Sequence, residues 1–80
     1  MTTSAEVITR IVVADDAAVV RDGICSLLRC NPAWQICGEA SDGEQAVEQV
    51  RNLKPDIIVL DMQMPAMSGI AAARKIREVS

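Results

Sequence analysis

The stretch KPDIIVLD, Lys54 to Asp61, decides how the chain folds. Lys54-Pro55 stops a helix, because proline has no amide donor and pushes the residue before it away from the helical region. Asp56-Ile57-Ile58-Val59-Leu60 then reads as a strand that is apolar on both faces, as expected inside a parallel sheet. Asp61 ends that strand before a loop running through Ser68. Upstream, Ser41-Asp42-Gly43-Glu44 has the S-x-x-E form of a capping box, opening a helix that carries Ala46, Val47, Val50 and Leu53 on one side. Trp34 to Glu39 is a second short strand. Before it, Val20, Ile24, Leu27 and Leu28 form a helical stripe within Ala17 to Cys30, and Asn31-Pro32 closes it. The β-branched run Arg10 to Ala14 is the first strand, ended by Asp15 and Asp16, and Met1 to Thr9 reads as a polar tail. On the far side of the deciding stretch, a third helix is expected from about Gly69 to Val79, with Ile70, Ala73 and Ile76 inward.

Strands alternating with helices imply parallel strands joined by right-handed crossovers, with helices covering both sheet faces. This is an α/β fold. In an open sheet of order 2-1-3, an order taken from doubly wound folds and not read from these residues, the crossovers would leave the first strand in opposite directions, and a ligand crevice is expected where the first and third strands end. Both ends carry acids: Asp15 and Asp16 on one, Asp61 on the other.

Composition agrees with one small domain of 80 residues, 50% hydrophobic but only 1% aromatic, so the interior is aliphatic. Eight Lys and Arg against 11 Asp and Glu give a net charge of -3, which disfavours a nucleic-acid-binding face within these residues. Apolar runs reach only four residues, as in Ile57 to Leu60, too short for a membrane span or a secretory leader. A cytoplasmic location is expected. Cys25, Cys30 and Cys37 are odd in number and no histidine is present, so they read as small core residues in a reducing compartment, not as disulfides or a zinc site. Met62, Met64 and Met67 read as packing residues, and Gly43 and Gly69 as helix-start glycines.

Neighbouring strands lie about 4.8 Å apart, so Asp61 and at least one of Asp15 and Asp16 should approach closely. Alone they would repel each other. A small hard cation removes that cost, and two carboxylates completed by water, a carbonyl and phosphate oxygens suit Mg²⁺. With the metal on the Asp15-Asp16 side, Asp61 could attack phosphorus as a nucleophile and form an acyl phosphate. Asp16 also reads as the N-cap of a helix beginning at Ala17, a role compatible with metal binding, and Asp61 alone would read as a turn residue. Three acids at one crevice, with no Arg or Lys within four residues on either side, favour the metal reading.

The segments IVVADDAAVVRDGICSLL, GEASDGEQAV and KPDIIVLDMQMPAMSGIAAARKIR carry a specific resemblance. The chain resembles the N-terminal part of a response-regulator receiver domain of two-component signalling, from Arg10 to Arg77. The resemblance implies a flavodoxin-like, doubly wound parallel sheet, here three strand-helix units in order 2-1-3, with a tail at 1–9 and the receiver at 10–80. It implies Asp61 as phosphoacceptor, with Mg²⁺ held by Asp15, Asp16, Asp61 and the backbone carbonyl of Gln63. A sensor histidine kinase is the implied phosphodonor. GEASDG and MPAMSG look most like the subfamily that precedes a helix-turn-helix domain, which implies transcription regulation and contact with DNA only through a domain absent from this chain. Ala17, where that subfamily commonly has His, and Ser68, where it has an acidic or small residue, depart from its pattern. A complete receiver has five strands, with Ser or Thr ending the fourth and Lys the fifth, and this chain carries three.

Two alternatives compete with the phosphoacceptor. A haloacid-dehalogenase-type phosphatase also uses a strand-end aspartate, but it wants a second Asp where Gln63 stands. A truncated receiver could act as an interaction module that does not switch, and its exposed third strand would favour self-association.

Overall fold

The computed structural model describes residues 7–61 and 74–77. Three parallel strands, β1 (Thr9–Ala14), β2 (Trp34–Ala40) and β3 (Ile57–Leu60), form one sheet in the order β2-β1-β3. Helices α1 (Ala18–Leu28) and α2 (Gly43–Leu53) make the two crossovers. The expected fold class and strand order are therefore present. Residues 74–77 are helical, with Ile76 half-buried between exposed Lys75 and Arg77, while Ile70, Ala73 and the loop before them lie outside the described residues.

Alternation along β1 builds two cores, one on each face of the sheet. Ile11 and Val13 pack with Cys25 of α1, flanked by Ile24, Leu28, Ile36 and Val59. Ala14 packs with Ala40 and Ala46 of α2, flanked by Ile58 and Leu60. The small residues of the second cluster let α2 lie close to the sheet. Gly38 serves the same approach: a Cβ there would press on the Gln49 side chain and come within 2.8 Å of Leu53 Cδ1. Pairing steps from Ile11↔Ile36 to Val12↔Gly38, so Cys37 is an extra residue that bulges β2.

Helix α2 follows its sequence pattern, with Ala46, Val47 and Val50 buried and Leu53 half-buried. Its cap differs from the S-x-x-E expectation by one residue. Asp42 is the N-cap and accepts from the Gln45 amide at 2.8 Å, while Gln45 Oε1 accepts from the Ser41 amide at 3.1 Å. The cause is the extended backbone of Asp42, which starts the helix at Gly43. The other end closes on Lys54 in the left-handed region at φ 49°, with Arg10 Nη1 donating to the Leu53 carbonyl at 2.7 Å and the Lys54 carbonyl at 3.3 Å.

Helix α1 departs further from expectation. Of the expected stripe, Ile24 and Leu28 are half-buried against the core as read, whereas Val20 and Leu27 are 49% and 75% exposed, and Cys25 is the buried residue with Arg21 half-buried. Apolar residues occupy more than one side of this helix, and it is Cys25 that packs with Ile11 and Val13 of β1. The cysteines divide accordingly: Cys25 is buried, Cys37 half-buried, and Cys30 exposed, against the expectation of core packing. Strand bounds differ by one residue, with β1 beginning at Thr9 and β2 ending at Ala40.

Candidate functional site at the carboxyl ends of β1 and β3

The last residue of the central strand is stitched on both sides. Asp15 N–H donates to the Ala40 carbonyl at 3.0 Å, and Asp61 N–H donates to the Ala14 carbonyl at 3.0 Å. These two bonds carry the sheet register, in which Ala14 faces Ala40 and Leu60, one residue beyond the strands and set the acids side by side. One carboxylate oxygen from each of Asp15, Asp16 and Asp61 lies within 4.8 Å of the others. The first-strand pair and the third-strand acid, 45 residues apart in sequence, thus share one place, as their strand-end positions led us to expect.

The members are held differently. Asp15 is 9% exposed, and its Oδ1 accepts from the Ala17 amide at 2.9 Å in a turn that brings the chain into α1. Asp16 is exposed, and α1 begins at Ala18 with Ala17 as an N-cap that makes no side-chain bond. The N-cap reading of Asp16 is therefore corrected, and the acid that bonds the turn is Asp15. Asp61 is half-buried. Gln63, Met62, Met64, Met67, Ser68 and Gly69 lie outside the described residues.

Two further residues belong to this neighbourhood and escaped sequence reasoning. Arg21 Nη1 donates to the Asp15 carbonyl at 2.7 Å, and Arg21 Nε pairs with Glu39 Oε1 at 3.1 Å. Arg21 sits on α1 and Glu39 on β2, 18 residues apart, so no local spacing links them. Arg21 lies one turn after the acids on the sheet-facing side, and that was the available signal. Cys25, the nearby thiol, is not a nucleophile candidate: burial first, and then Glu39, holds it protonated above its ordinary range.

Chemically the cluster is a set of hard anionic oxygens, converging from two strands, whose mutual repulsion a divalent cation would relieve. The donor set fits Mg²⁺ better than zinc or copper, which favour nitrogen and sulfur ligands.

Comparison with known proteins bears on the family and the fold. Residues 11–80 match the family model of the response regulator receiver domain. The chain is 46% identical over 67 residues to a protein-glutamate methylesterase/protein-glutamine glutaminase of Alkalilimnicola ehrlichii, covering 84% of this chain and 17% of that protein. It is 42% identical over 69 residues to the transcriptional regulatory protein YdfI of Bacillus subtilis, covering 86% and 32% respectively. Among solved structures, the response regulator domain of Thermotoga maritima CheB superposes with a TM-score of 0.89 at 36% identity, over 91% of this chain and 55% of that one. The chain thus spans under a third of either curated relative and little more than half of the solved domain.

Proposed function

The chain belongs to the response regulator receiver family, and from that premise we propose that it is a phosphoacceptor module in which Asp61 takes a phosphoryl group from a sensor histidine kinase. The observation that carries this reading is the convergence of the Asp15, Asp16 and Asp61 oxygens at the ends of adjacent strands. In the reaction, an Asp61 carboxylate oxygen attacks phosphorus, the bond from phosphorus to the donor imidazole nitrogen breaks, and its electron pair leaves with the imidazole. The product is an acyl phosphate. Asp15 and Asp16, with Asp61 and the Gln63 carbonyl, would hold Mg²⁺, which when bound neutralises charge on the phosphoryl oxygens. Asp15 brings its carboxylate already fixed by the Ala17 amide, so little ordering is needed to receive the ion.

The chain itself acts as a signal carrier and not as an enzyme, and the output lies in a longer protein. Likeness to YdfI supports regulation of transcription there, with DNA contacted outside this chain. Likeness to the methylesterases supports a second reading, in which the receiver governs an attached catalytic domain. A cytoplasmic location is part of this proposal, because the kinase that donates the phosphoryl group would meet the chain there. No helix among the described residues is long and apolar enough to cross a membrane. Among the described residues β3 pairs with β1 alone, and this open edge supports self-association of the 80-residue chain, which sedimentation at tens of micromolar would register.

The test is incubation with a small phosphodonor such as acetyl phosphate, with and without Mg²⁺, followed by intact-mass measurement and peptide mapping. The expected result is one Mg²⁺-dependent phosphoryl group on Asp61, labile to alkali, and none on Asp61→Asn. Labelling of Asp61→Asn at the parent rate would refute the assignment. A parent that binds the cation and stays unlabelled would favour the interaction module.

A further inference from the structure

The acidic pair is anchored at one member only. Asp15 is fixed through three atoms: its amide to the Ala40 carbonyl, its Oδ1 to the Ala17 amide, and its carbonyl to Arg21. Asp16 is exposed, and its carboxylate has no hydrogen-bond partner among the described residues. The third anchor of Asp15 is unusual because it brings a positive charge beside a cluster suited to a cation. Glu39 stands against that charge, its Oε1 3.1 Å from Arg21 Nε.

We propose that Arg21 and Glu39 form a charge-balanced clamp that positions Asp15 for cation binding, the guanidinium holding the strand-end carbonyl and Glu39 cancelling the charge it carries. The proposal rests on the reading of the three acids as a cation site. Arginine is required by geometry: Nη1 serves the Asp15 carbonyl at 2.7 Å while Nε serves Glu39, a division that a lysine ammonium on a flexible stem does not reproduce. The side chain is 19% exposed, so the contact to the carbonyl is shielded from competing water. Arg21 also spans the turn at its two ends, binding the carbonyl before it from the helix that follows it. The direction of the turn, and with it the Asp15 carboxylate, is then set by α1 and β2 together. Arg21 is a positioning residue, since its hydrogen bonds go to the Asp15 carbonyl and to Glu39 and not to a carboxylate of the cluster.

The sign of one substitution separates this role from electrostatics. Arg21→Gln removes a positive charge near the acids, which by Coulomb attraction alone would tighten cation binding. The clamp predicts the opposite, a loss of about tenfold in affinity, as for other residues that orient metal ligands from behind. Arg21→Lys keeps the charge, loses the fork and is expected to weaken binding comparably. Glu39→Gln keeps an acceptor for Nε and leaves the guanidinium unbalanced, so binding weakens at low salt and recovers at high salt.

The experiment is a Mn²⁺ titration of the full chain by calorimetry, with paramagnetic broadening of amide signals to locate the ion and a thermal melt to confirm folding. Weaker binding by folded Arg21→Gln, together with salt-dependent weakening in Glu39→Gln, supports the clamp. A parent that binds at the acids and an Arg21→Gln that binds equally or more tightly overturns the clamp alone. Where Arg21→Gln does not fold, Arg21→Lys decides, because it keeps the charge and loses only the fork: affinity equal to the parent's overturns the clamp. A parent with no saturable response at the three acids overturns the cation reading and the clamp with it.

Discussion

Helices α1 and α2 are each 11 residues long and flank the same central strand, yet they are held by different means. Helix α2 is fixed at both ends and by burial: Asp42 caps its start, Lys54 and Arg10 of β1 close its end, and Ala46, Val47 and Val50 are buried. Helix α1 has no side-chain N-cap, no acid in its first turn and no base in its last. One residue of it is buried, Cys25, while Val19, Val20 and Leu27 are exposed, and Arg21 ties it to Asp15 and Glu39. The difference teaches that α2 carries stability, whereas α1 carries placement of the acidic site. A helix fixed by burial resists displacement generally. Helix α1 packs through Cys25, Ile24 and Leu28, and the polar contacts of Arg21 add position at the point they reach.

The comparison breaks most visibly through α2. Ala46 is fully buried against Ala14 and Ala40, so Ala46→Leu overfills the contact and is expected to destabilise by about 3 kcal/mol in urea denaturation. Asp42→Ala removes the cap and leaves the Gln45 amide without its side-chain acceptor, an expected cost of about 1 kcal/mol by the same measurement. The smallest effect belongs to α1: Leu27→Ser, at a position 75% exposed, is expected to change stability by less than about 0.5 kcal/mol. A loss from Leu27→Ser as large as that from Asp42→Ala would show that this apolar side of α1 is covered, and the contrast between the helices would fail.

The same contrast explains what could be read from sequence. The strand-end acids were legible because both signals are local: a β-branched run gives the strand, and the first residue beyond it is placed by the sheet register. Helix α2 was legible because its apolar residues occupy one side. Helix α1 carries Val19, Val20, Ile24, Cys25, Leu27 and Leu28 around much of its circumference, so pattern alone did not select the buried side. The buried side is marked by Cys25 and by Arg21, whose contact with Glu39 exists only once β2 lies beside β1. The bulge at Cys37 was hidden for a related reason, since a strand's own alternation does not reveal how many residues its partner offers. The capping residue was missed by one position because Ser41 and Asp42 are both good caps, and backbone geometry chose between them.

The central claim is that acids from two strands act as one cation site, and a Mg²⁺ or Mn²⁺ titration of the parent, Asp16→Ala and Asp61→Ala tests it most directly. The account predicts weak, saturable binding by the parent and a severalfold or greater loss in each variant, although the two residues stand 45 positions apart. Binding by Asp61→Ala as tight as the parent's would place the ion elsewhere and contradict the account.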